Sequence, residues 1–428
     1  MKDFKFVRDT VHGSVKVSGL TLELMDSPEF QRLRGIRQTG LANMVYPGAN
    51  HTRFEHSLGT GVVAERMARS LGLDGRDSRS LIAACLLHDI GHGPFSHTLE
   101  MVTHEMLGID HMEVTKRVIL GKYDILHDPD GGAHIPGLLR KYGVRPDDVA
   151  SLITGVCEPG LDLFAAPKRT RSRQKPYLSM LVHGTADADQ MDYLLRDAHH
   201  TGVAYGIIDL ERILNTLVIY KDRIAVHRKG ITAIEGMLVA RALMYSAVYM
   251  HKTVRIAELM LARAVERGIE SEGSREINRM MDDQLIAWLE GRKGYPSDVV
   301  RMLRRRELYK SAFFVTPQEL TPDMKEGLRP LCEPRRRREV EAEICRRARA
   351  PEGSAILDIP MKEILISEPR IARTDILVWD DGKVVPFSKV STLSSALRNR
   401  EVMGWVCMVS AHPKHRESVA RAAEKILS

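Results

Sequence analysis

The dipeptide His88-Asp89 constrains the fold of this chain more than any other feature. It directly follows the run Leu81 to Leu87, which is apolar on every side of a helix and therefore predicts a buried helix. An ionised carboxylate at the end of a buried helix is costly unless a counter-charge compensates it. A divalent cation is one suitable counter-charge, and Gly91 and Gly93 allow a close approach of the backbone. Taken alone, the dipeptide fits a hydrogen-bonded core histidine beside a capping aspartate better.

Further metal-ligating residue types accompany the dipeptide. His56 is predicted on the first turn of a helix over about 54–71, and Asp189 lies in a short aspartate-rich segment. Two imidazoles and two carboxylates form a mixed nitrogen and oxygen set that suits Mn, Fe, Mg, Zn or Ni. We therefore predict a divalent metal ion bound by His56, His88, Asp89 and Asp189. Of the 17 histidines in the chain, seven lie between residues 51 and 111: His51, His56, His88, His92, His97, His104 and His111.

These residues follow the pattern of a known family. The order His56, His88-Asp89, Asp189 matches the H…HD…D signature, and the chain resembles the HD-domain phosphohydrolases. The segments 46–57 and 88–97 are similar to the deoxynucleoside triphosphate triphosphohydrolase (dGTPase-like) branch, which includes the sterile-alpha-motif and HD domain enzyme. The resemblance covers about residues 5–260. It implies that the enzyme converts a dNTP into deoxynucleoside and inorganic triphosphate.

The resemblance also implies roles for residues around the metal. His92 would act with the acidic neighbour Glu100 near the α-phosphate. His97 and His111 would contact phosphates or the leaving 5′-oxygen, with His104 as the alternative to His111. Arg53 and Arg241 would bind phosphate. Tyr193 and Tyr249 would pack on the sugar, with Asp197 and Gln38 near its 3′-hydroxyl. Tyr245 completes the implied substrate site.

Helical spacing supports one pocket independently of the resemblance. Asp189, Tyr193 and Asp197 are four residues apart and share a helix face, and so do Arg241, Tyr245 and Tyr249. Core packing of the tyrosines is the alternative.

The chain departs from the family pattern at three positions. Glu100 stands where the family has an aspartate, Gln190 where it has a lysine, and Tyr245 where it has a histidine. These departures concern the choice of substrate and leave the predicted metal ligands unchanged.

The family also binds regulatory nucleotides between the subunits of a dimer or tetramer. Lys5, Asp26 and Arg34 occupy similar positions here, so the resemblance implies a nucleotide activator and a homo-oligomer. Ordinary surface charges are the alternative explanation of these three residues.

Periodicity predicts a mainly α fold with an HD-domain helical core and a smaller C-terminal α+β subdomain. The predicted boundaries are 1–268 for the HD domain, 269–350 for an Arg-rich helical region and 351–428 for the subdomain. Helices are predicted near 27–33, 54–71, 77–87, 110–121, 146–157, 178–198, 209–220, 231–266, 391–400 and 414–427. Strands are predicted at 375–379, 383–387 and 404–410, and an extended stretch is predicted at 4–17 with a turn at 12–14.

Composition narrows the setting and leaves the partner open. The formal net charge of +7 fits anionic partners without choosing among them. The five cysteines are widely separated, which predicts a reducing, cytoplasmic compartment. Without eighteen consecutive apolar residues, no membrane span is predicted.

Two other functions compete with dNTP hydrolysis. The first is another nucleotide phosphohydrolase on the same metal, such as a monophosphatase or a phosphodiesterase. The second is a nucleic-acid-binding regulatory protein with a vestigial site, suggested by the basic segments 168–175 and 301–349. These segments lack interleaved aromatic residues, and the glutamates from Glu339 onward make the second segment more typical of a solvated helix face.

Overall fold

The computed structural model describes residues 4–108, 110–127, 133–154, 175–272, 276–360, 376–394 and 404–427. The chain starts with an antiparallel hairpin of strands β1 (Phe4–Asp9) and β2 (Gly13–Ser18), as predicted. Helix α1 (Gly19–Asp26) leads to the short helix α2 (Pro28–Gln31). The predicted cap of α2 is confirmed, because the Ser27 hydroxyl accepts a hydrogen bond from the Phe30 N–H.

The largest core is helical. It joins α3 (Arg53–Ser70), α4 (Gly75–Leu87), α6 (His111–Ile119), α8 (Pro146–Ile153) and α10 (Ala188–Thr201). Helix α4 is buried as its sequence predicts, with Leu81, Leu86 and Leu87 fully inaccessible to solvent. The remaining helices of this part are α5 (His97–Leu107), α7 (His134–Lys141), α9 (Pro176–His183) and α11 (Leu210–Thr216).

Three of the helices predicted before residue 221 differ from the structure. The helix predicted over 178–198 is two helices, because α9 ends before Gly184 and Asp187 caps a new helix by accepting from the Gln190 N–H. The helix predicted over 209–220 ends at Thr216, and strand β3 (Leu217–Tyr220) follows it and pairs with β4 (Arg223–His227). The helix predicted over 146–157 ends at Ile153, and 155–157 lie outside the described residues.

The predicted helix 231–266 is interrupted. Helix α12 (Ile231–Met244) passes into a π-helical turn at Tyr245–Tyr249, and α13 (Lys252–Glu272) begins after it. A π-turn inserts extra residues into a helix and often marks a functional site. Here it carries Tyr245 and Tyr249, two of the tyrosines that the family resemblance assigns to a substrate site.

The C-terminal part contains helices α14 (Asp282–Glu290), α15 (Tyr295–Arg304), α16 (Pro322–Leu328), α17 (Pro334–Arg347), α18 (Phe387–Val390) and α19 (Arg416–Leu427). Its strands are β5 (Lys310–Val315), β6 (Ala355–Asp358), β7 (Leu377–Asp380), β8 (Lys383–Pro386) and β9 (Cys407–Ala411). The predicted hairpin of β7 and β8, the strand near 404–410 and the closing helix are confirmed. Of the helix predicted at 391–400, residues 395–400 lie outside the described part.

These strands belong to two different sheets. Strand β7 pairs in parallel with β4, so the β7–β8 hairpin extends the sheet of the first part in the order β3-β4-β7-β8. Strands β5, β9 and β6 form a separate sheet covered by α17 and α19. The predicted boundaries at 268 and 350 remain a prediction, and strand pairing crosses them.

Within the described ranges, one apolar stretch is long and apolar enough to span a membrane by length and composition. It is Arg228–Tyr249, with a mean hydropathy of 1.4 and 44% of its apolar window buried inside the structure. Its residues Ile234, Met237 and Leu238 belong to the helical core, which is the packing expected of a core helix.

Candidate metal centre

The four predicted metal ligands converge from three helices. His56 lies on the first turn of α3, His88 and Asp89 follow the end of α4, and Asp189 lies on the first turn of α10. The donor atoms of His56, His88 and Asp189 all lie within 4.8 Å of one another. Asp89 joins them, with Oδ1 3.3 Å from His88 Nε2 and Oδ2 3.7 Å from His56 Nε2. This grouping fits a single bound cation.

Unpaired nitrogen atoms support the same conclusion. The Nε2 atoms of His56 and His88 are buried, and neither makes a hydrogen bond within the described part of the structure. A buried ring nitrogen without a partner is costly, unless it serves as a metal ligand. The residues present therefore fit a divalent metal ion.

The opposite ring nitrogens fix the orientation of both imidazoles. His56 Nδ1 lies 2.9 Å from Asp192 Oδ2, and His88 Nδ1 lies 2.8 Å from the Cys85 carbonyl oxygen. Both partners accept hydrogen bonds, so each Nδ1 carries a proton. Each Nε2 faces the centre, where a bound metal ion would take the place of a proton on that nitrogen. Carboxylates and carbonyls behind metal-bound histidines usually have this function.

Asp192 is the important residue that the sequence analysis missed. It is fully buried and accepts hydrogen bonds from His12, His56 and Arg196. Its position one turn after Asp189 was the available signal, because residues three apart on a helix point in similar directions. Gly59 makes room for it, since a Cβ at Gly59 would lie 2.0 Å from Asp192 Oδ1.

The electrostatics of the centre favour positive charge. Burial lowers the pKa of His56, but the carboxylates of Asp189 and Asp192 outweigh burial and raise that pKa to about 10. Burial raises the pKa of Asp89, and the charges of Arg53, His88 and His92 outweigh it, so this pKa lies well below its usual range. The carboxylates are therefore ionised at neutral pH, as cation binding requires.

Arg53 lies at the edge of the centre rather than in open solvent. Its guanidinium forms an ion pair with Asp89, and its Nε donates to Ser96 Oγ at 2.5 Å. The side chain is 1% exposed. Arg53 therefore sits where its charge can reach a group bound at the metal.

The predicted catalytic residues lie together beside Asp89. His92 Nε2 is 3.3 Å from Asp89 Oδ1, and the His92 ring stacks on His111 with 4.2 Å between centroids. Glu100 forms an ion pair with His111, whereas His104 is exposed. The side chain of His97 lies outside the described part of the structure. Burial, with the charges of Arg53 and His111, holds the pKa of His92 well below its usual range.

The predicted sugar-binding residues form a second cluster. Asp197 accepts from Tyr249 Oη at 2.5 Å, and its other oxygen lies 2.7 Å from His51 Nε2. The rings of Tyr193 and Tyr249 meet edge to face at 6.1 Å. Gln38 is buried beside this cluster, and its backbone N–H donates to the His51 carbonyl. Its side-chain Oε1 has no hydrogen-bond partner among the described residues.

Arg241 connects the aromatic cluster to the departure at Gln190. Its Nη1 donates to Gln190 Oε1 at 2.9 Å, and its guanidinium lies 5.4 Å from the centroid of the Tyr245 ring. The Arg241 Nε is buried and has no hydrogen-bond partner in the described ranges. Gln190 thus orients the arginine predicted to bind phosphate.

The predicted regulatory residues are only partly brought together. Lys5 and Asp26 form an exposed ion pair of 2.5 Å. The Arg34 guanidinium stacks on Phe54, 3.5 Å from the ring centroid, and its Nε donates to Gln31. Nucleotide binding by these three residues stays a prediction.

Family models match two regions of the chain. The HD domain matches residues 53–196, and the HD-associated region matches residues 208–428. The first region contains the four converging residues, and the second contains the π-turn and the C-terminal sheets.

Three relatives show the range of similarity. An uncharacterized protein of Methanocaldococcus jannaschii is 38% identical over 74% of this chain and 61% of its own length. YwfO of Bacillus subtilis, also uncharacterized, is 32% identical over 75% of each chain. Deoxynucleoside triphosphate triphosphohydrolase SAMHD1 of Gallus gallus is 27% identical over 76% of this chain and 59% of its own length. The chain thus spans about three fifths of the first and third of these relatives.

Two solved structures share the fold. A hypothetical protein from Aquifex aeolicus is 27% identical with a TM-score of 0.68, covering 98% of this chain and 99% of the other. A phosphohydrolase from Bacteroides thetaiotaomicron is 23% identical with a TM-score of 0.67, covering 96% and 99%. Both alignments extend through the HD-associated region.

Proposed function

We propose that this chain, which belongs to the HD phosphohydrolase superfamily, hydrolyses deoxynucleoside triphosphates to deoxynucleoside and inorganic triphosphate. His56, His88, Asp89 and Asp189 would hold a divalent metal ion. When bound, such an ion supplies Lewis-acid polarisation of a phosphoryl oxygen and lowers the pKa of a bound water. The observation that carries the proposal is the pair of buried, unpartnered Nε2 atoms facing two carboxylates.

The chain's own residues supply phosphate binding and proton transfer. Arg53, held between Asp89 and Ser96, would donate its planar fork to phosphate oxygens. His92 is neutral at pH 7, because its pKa lies well below its usual range, so it can accept a proton from a nucleophile. His111, paired with Glu100, lies one ring away and can return a proton to the leaving oxygen.

The second cluster fits the sugar of a nucleotide. Two tyrosine rings and a buried carboxylate provide an apolar surface with one strong acceptor. An acceptor at that point suits a sugar hydroxyl, since a hydroxyl donates one hydrogen bond. The SAMHD1 relative, whose name states dNTP triphosphohydrolase activity, supports the choice of substrate.

Analysis of the products tests the proposal. Purified protein with Mn²⁺ or Mg²⁺ is incubated with the four dNTPs, with deoxynucleoside monophosphates and with a cyclic nucleotide, with and without GTP. We expect deoxynucleoside and inorganic triphosphate from at least one dNTP. Orthophosphate from a monophosphate, or opening of the cyclic nucleotide, with no triphosphate released from any dNTP, would instead assign the site to another phosphohydrolase reaction.

The requirement for GTP is a separate measurement. Turnover only in the presence of GTP would support the predicted activator, and substitution of Lys5 or Arg34 should then abolish the activation and not the metal binding. The mass of the active species in solution decides between dimer and tetramer.

A further inference from the structure

The loop that joins α4 to α5 has an unfavourable backbone conformation. Phe95 and Ser96 both have positive φ angles, of 53° and 48°, although neither is a glycine. Side chains with a Cβ rarely adopt this region, so contacts elsewhere must hold the loop in place. The loop carries His92 and connects directly to Asp89.

Asp282 supplies such a contact from the HD-associated region. It is the first residue of α14 and is 8% exposed. Its Oδ1 accepts from the Phe95 N–H at 2.7 Å, and its Oδ2 accepts from the Arg37 N–H at 3.1 Å. One carboxylate thus joins the strained loop to the segment that precedes the metal-binding helix.

A chain of contacts leads from Asp282 to the metal centre. Ser96 Oγ donates to the Arg37 carbonyl at 3.0 Å and accepts from Arg53 Nε. Arg53 in turn forms the ion pair with Asp89. Asp282 thus binds the N–H of the residue before Ser96 and the N–H of Arg37, the residue whose carbonyl accepts from Ser96. Ser96 in turn contacts the Arg53 guanidinium.

Arg32 makes a second connection to the same loop. It is buried and donates to the His92 carbonyl at 2.9 Å, and its other hydrogen bonds go to the carbonyls of residues 278, 279 and 280. A Cβ at Gly93 would lie 3.0 Å from Asn278, so the two segments pack closely. Residues 278–282 therefore hold the loop at both His92 and Phe95.

We propose that Asp282 is a positioning residue for the reaction, which holds the 92–96 loop so that Ser96 and Arg53 are aligned beside Asp89. The inference rests on the proposed function, because the alignment matters for phosphate chemistry at the metal. Displacement of a reacting group by about 1 Å can cost about 100-fold in rate. The HD-associated region thus contributes to the active site without contributing a metal ligand.

The variant Asp282→Asn tests this proposal in the full-length protein. Asparagine keeps the size of the side chain, but one of its two acceptor oxygens becomes an NH₂ group that cannot accept. The exposed neighbour Asp283 gives the matched control Asp283→Asn on the same helix. We expect kcat for the best dNTP to fall about 10- to 100-fold in Asp282→Asn, with KM and Mn²⁺ affinity within about 3-fold of wild type.

Amide hydrogen exchange gives a readout that is independent of activity. Peptides covering residues 90–97 and 34–40 should exchange faster in Asp282→Asn than in wild type. In Asp283→Asn they should exchange at the wild-type rate, and both variants should keep the wild-type melting temperature. If wild-type protein hydrolyses no dNTP, the proposed function fails, while the exchange data still decide whether Asp282 holds the loop. Unchanged exchange, or faster exchange with unchanged kcat, would overturn the inference, and so would a parallel loss of Mn²⁺ affinity.

A double variant tests the chain of contacts. If Asp282 acts through Ser96, the double variant Asp282→Asn with Ser96→Ala should have a kcat within about 3-fold of that of the less active single variant. A double variant in which the two losses multiply would show that the residues act independently, and the proposed route would be wrong.

Discussion

The two ends of the proposed pocket differ in how their polar groups are satisfied. At the metal end, His56 Nε2 and His88 Nε2 have no hydrogen-bond partner in the described chain and face the carboxylates of Asp89 and Asp189. At the sugar end, the charged groups are already bound, Asp197 by Tyr249 and His51 and Arg241 Nη1 by Gln190. Gln38 Oε1 and Arg241 Nε have no hydrogen-bond partner among the described residues. The metal end therefore needs an ion to be complete. In the proposed reaction, a ligand at the sugar end would exchange existing hydrogen bonds for its own, so we expect substrates to be distinguished there.

The largest expected effect comes from removing a ligand at the metal end. Asp189→Ala leaves two imidazoles and one carboxylate, and we expect kcat to fall about 1,000-fold or more, equivalent to about 4 kcal/mol. Metal content measured by elemental analysis should fall with it. Glu65→Gln, an exposed change on the same helix as His56, is the control and should keep both. Activity retained in Asp189→Ala would refute the assignment of the metal centre.

A smaller loss is expected when the support behind a ligand is weakened. Asp192→Asn keeps the shape of the side chain but impairs the hydrogen bond to His56 Nδ1. We expect the affinity for Mn²⁺, measured by titration calorimetry, to fall about 10- to 100-fold. At saturating Mn²⁺ the KM for substrate should stay within about 3-fold of wild type, because the sugar end is untouched. A raised KM with normal metal affinity would mean that the two ends are not separable.

Substitution at the sugar end should affect discrimination instead of metal binding. Asp197→Asn replaces a charged acceptor, so the preference in kcat/KM for a dNTP over its 3′-deoxy analogue should fall about tenfold or more, the effect of one hydrogen bond to a charged group. Tyr249→Phe removes one donor to Asp197 and should have a smaller effect of the same kind. Mn²⁺ affinity is the control and should be unchanged. An unchanged preference in both variants would remove Asp197 from the sugar site.

The same contrast explains what the sequence could predict. The cluster of the four proposed metal ligands was predictable because their residue types are distinctive and a buried helix end at Leu87 requires a counter-charge. The helices around them were predictable from apolar periodicity and from caps such as Ser27. Asp192 was missed because its position one turn after Asp189 does not by itself show that it contacts a histidine on another helix. Its role appears only when α3 and α10 meet at Gly59.

Long-range pairing was the part that local patterns could not give. The β7–β8 hairpin was predicted, but its parallel pairing with β4 joins residues about 150 positions apart and leaves no local signal. The contact between Asp282 and Phe95 is of the same kind. The π-turn at Tyr245–Tyr249 could not be predicted from the sequence, because its residues are also common in α-helices. The packing of the core determines where an extra residue is inserted into a helix to form such a turn.

The smallest predicted effect concerns pH at the rim of the sugar end. Burial, with the nearby charges of His51 and His199, outweighs the opposing charge of Glu55 and lowers the pKa of His200 from 6.5 to about 4. The unfolded chain therefore binds more protons than the folded chain between these two values. Stability from this group is complete above about pH 6.5 and is lost as the pH falls toward 4.

The variant His200→Gln should lack this loss. Between pH 7 and pH 5, the free energy of unfolding should fall further in wild type than in His200→Gln. The difference between the two falls should be about 1 kcal/mol or less, because the ring is partly exposed and its charge is screened. The matched control is His104→Gln, because His104 is exposed and stacks on no ring among the described residues. This variant should lose as much free energy of unfolding between the two pH values as wild type. Thermal melts at the two pH values make the comparison. The same change in the free energy of unfolding between pH 7 and pH 5 in all three proteins would contradict this prediction. If that shared change also depended on added Mn²⁺, the buried histidines of the metal end would be its source.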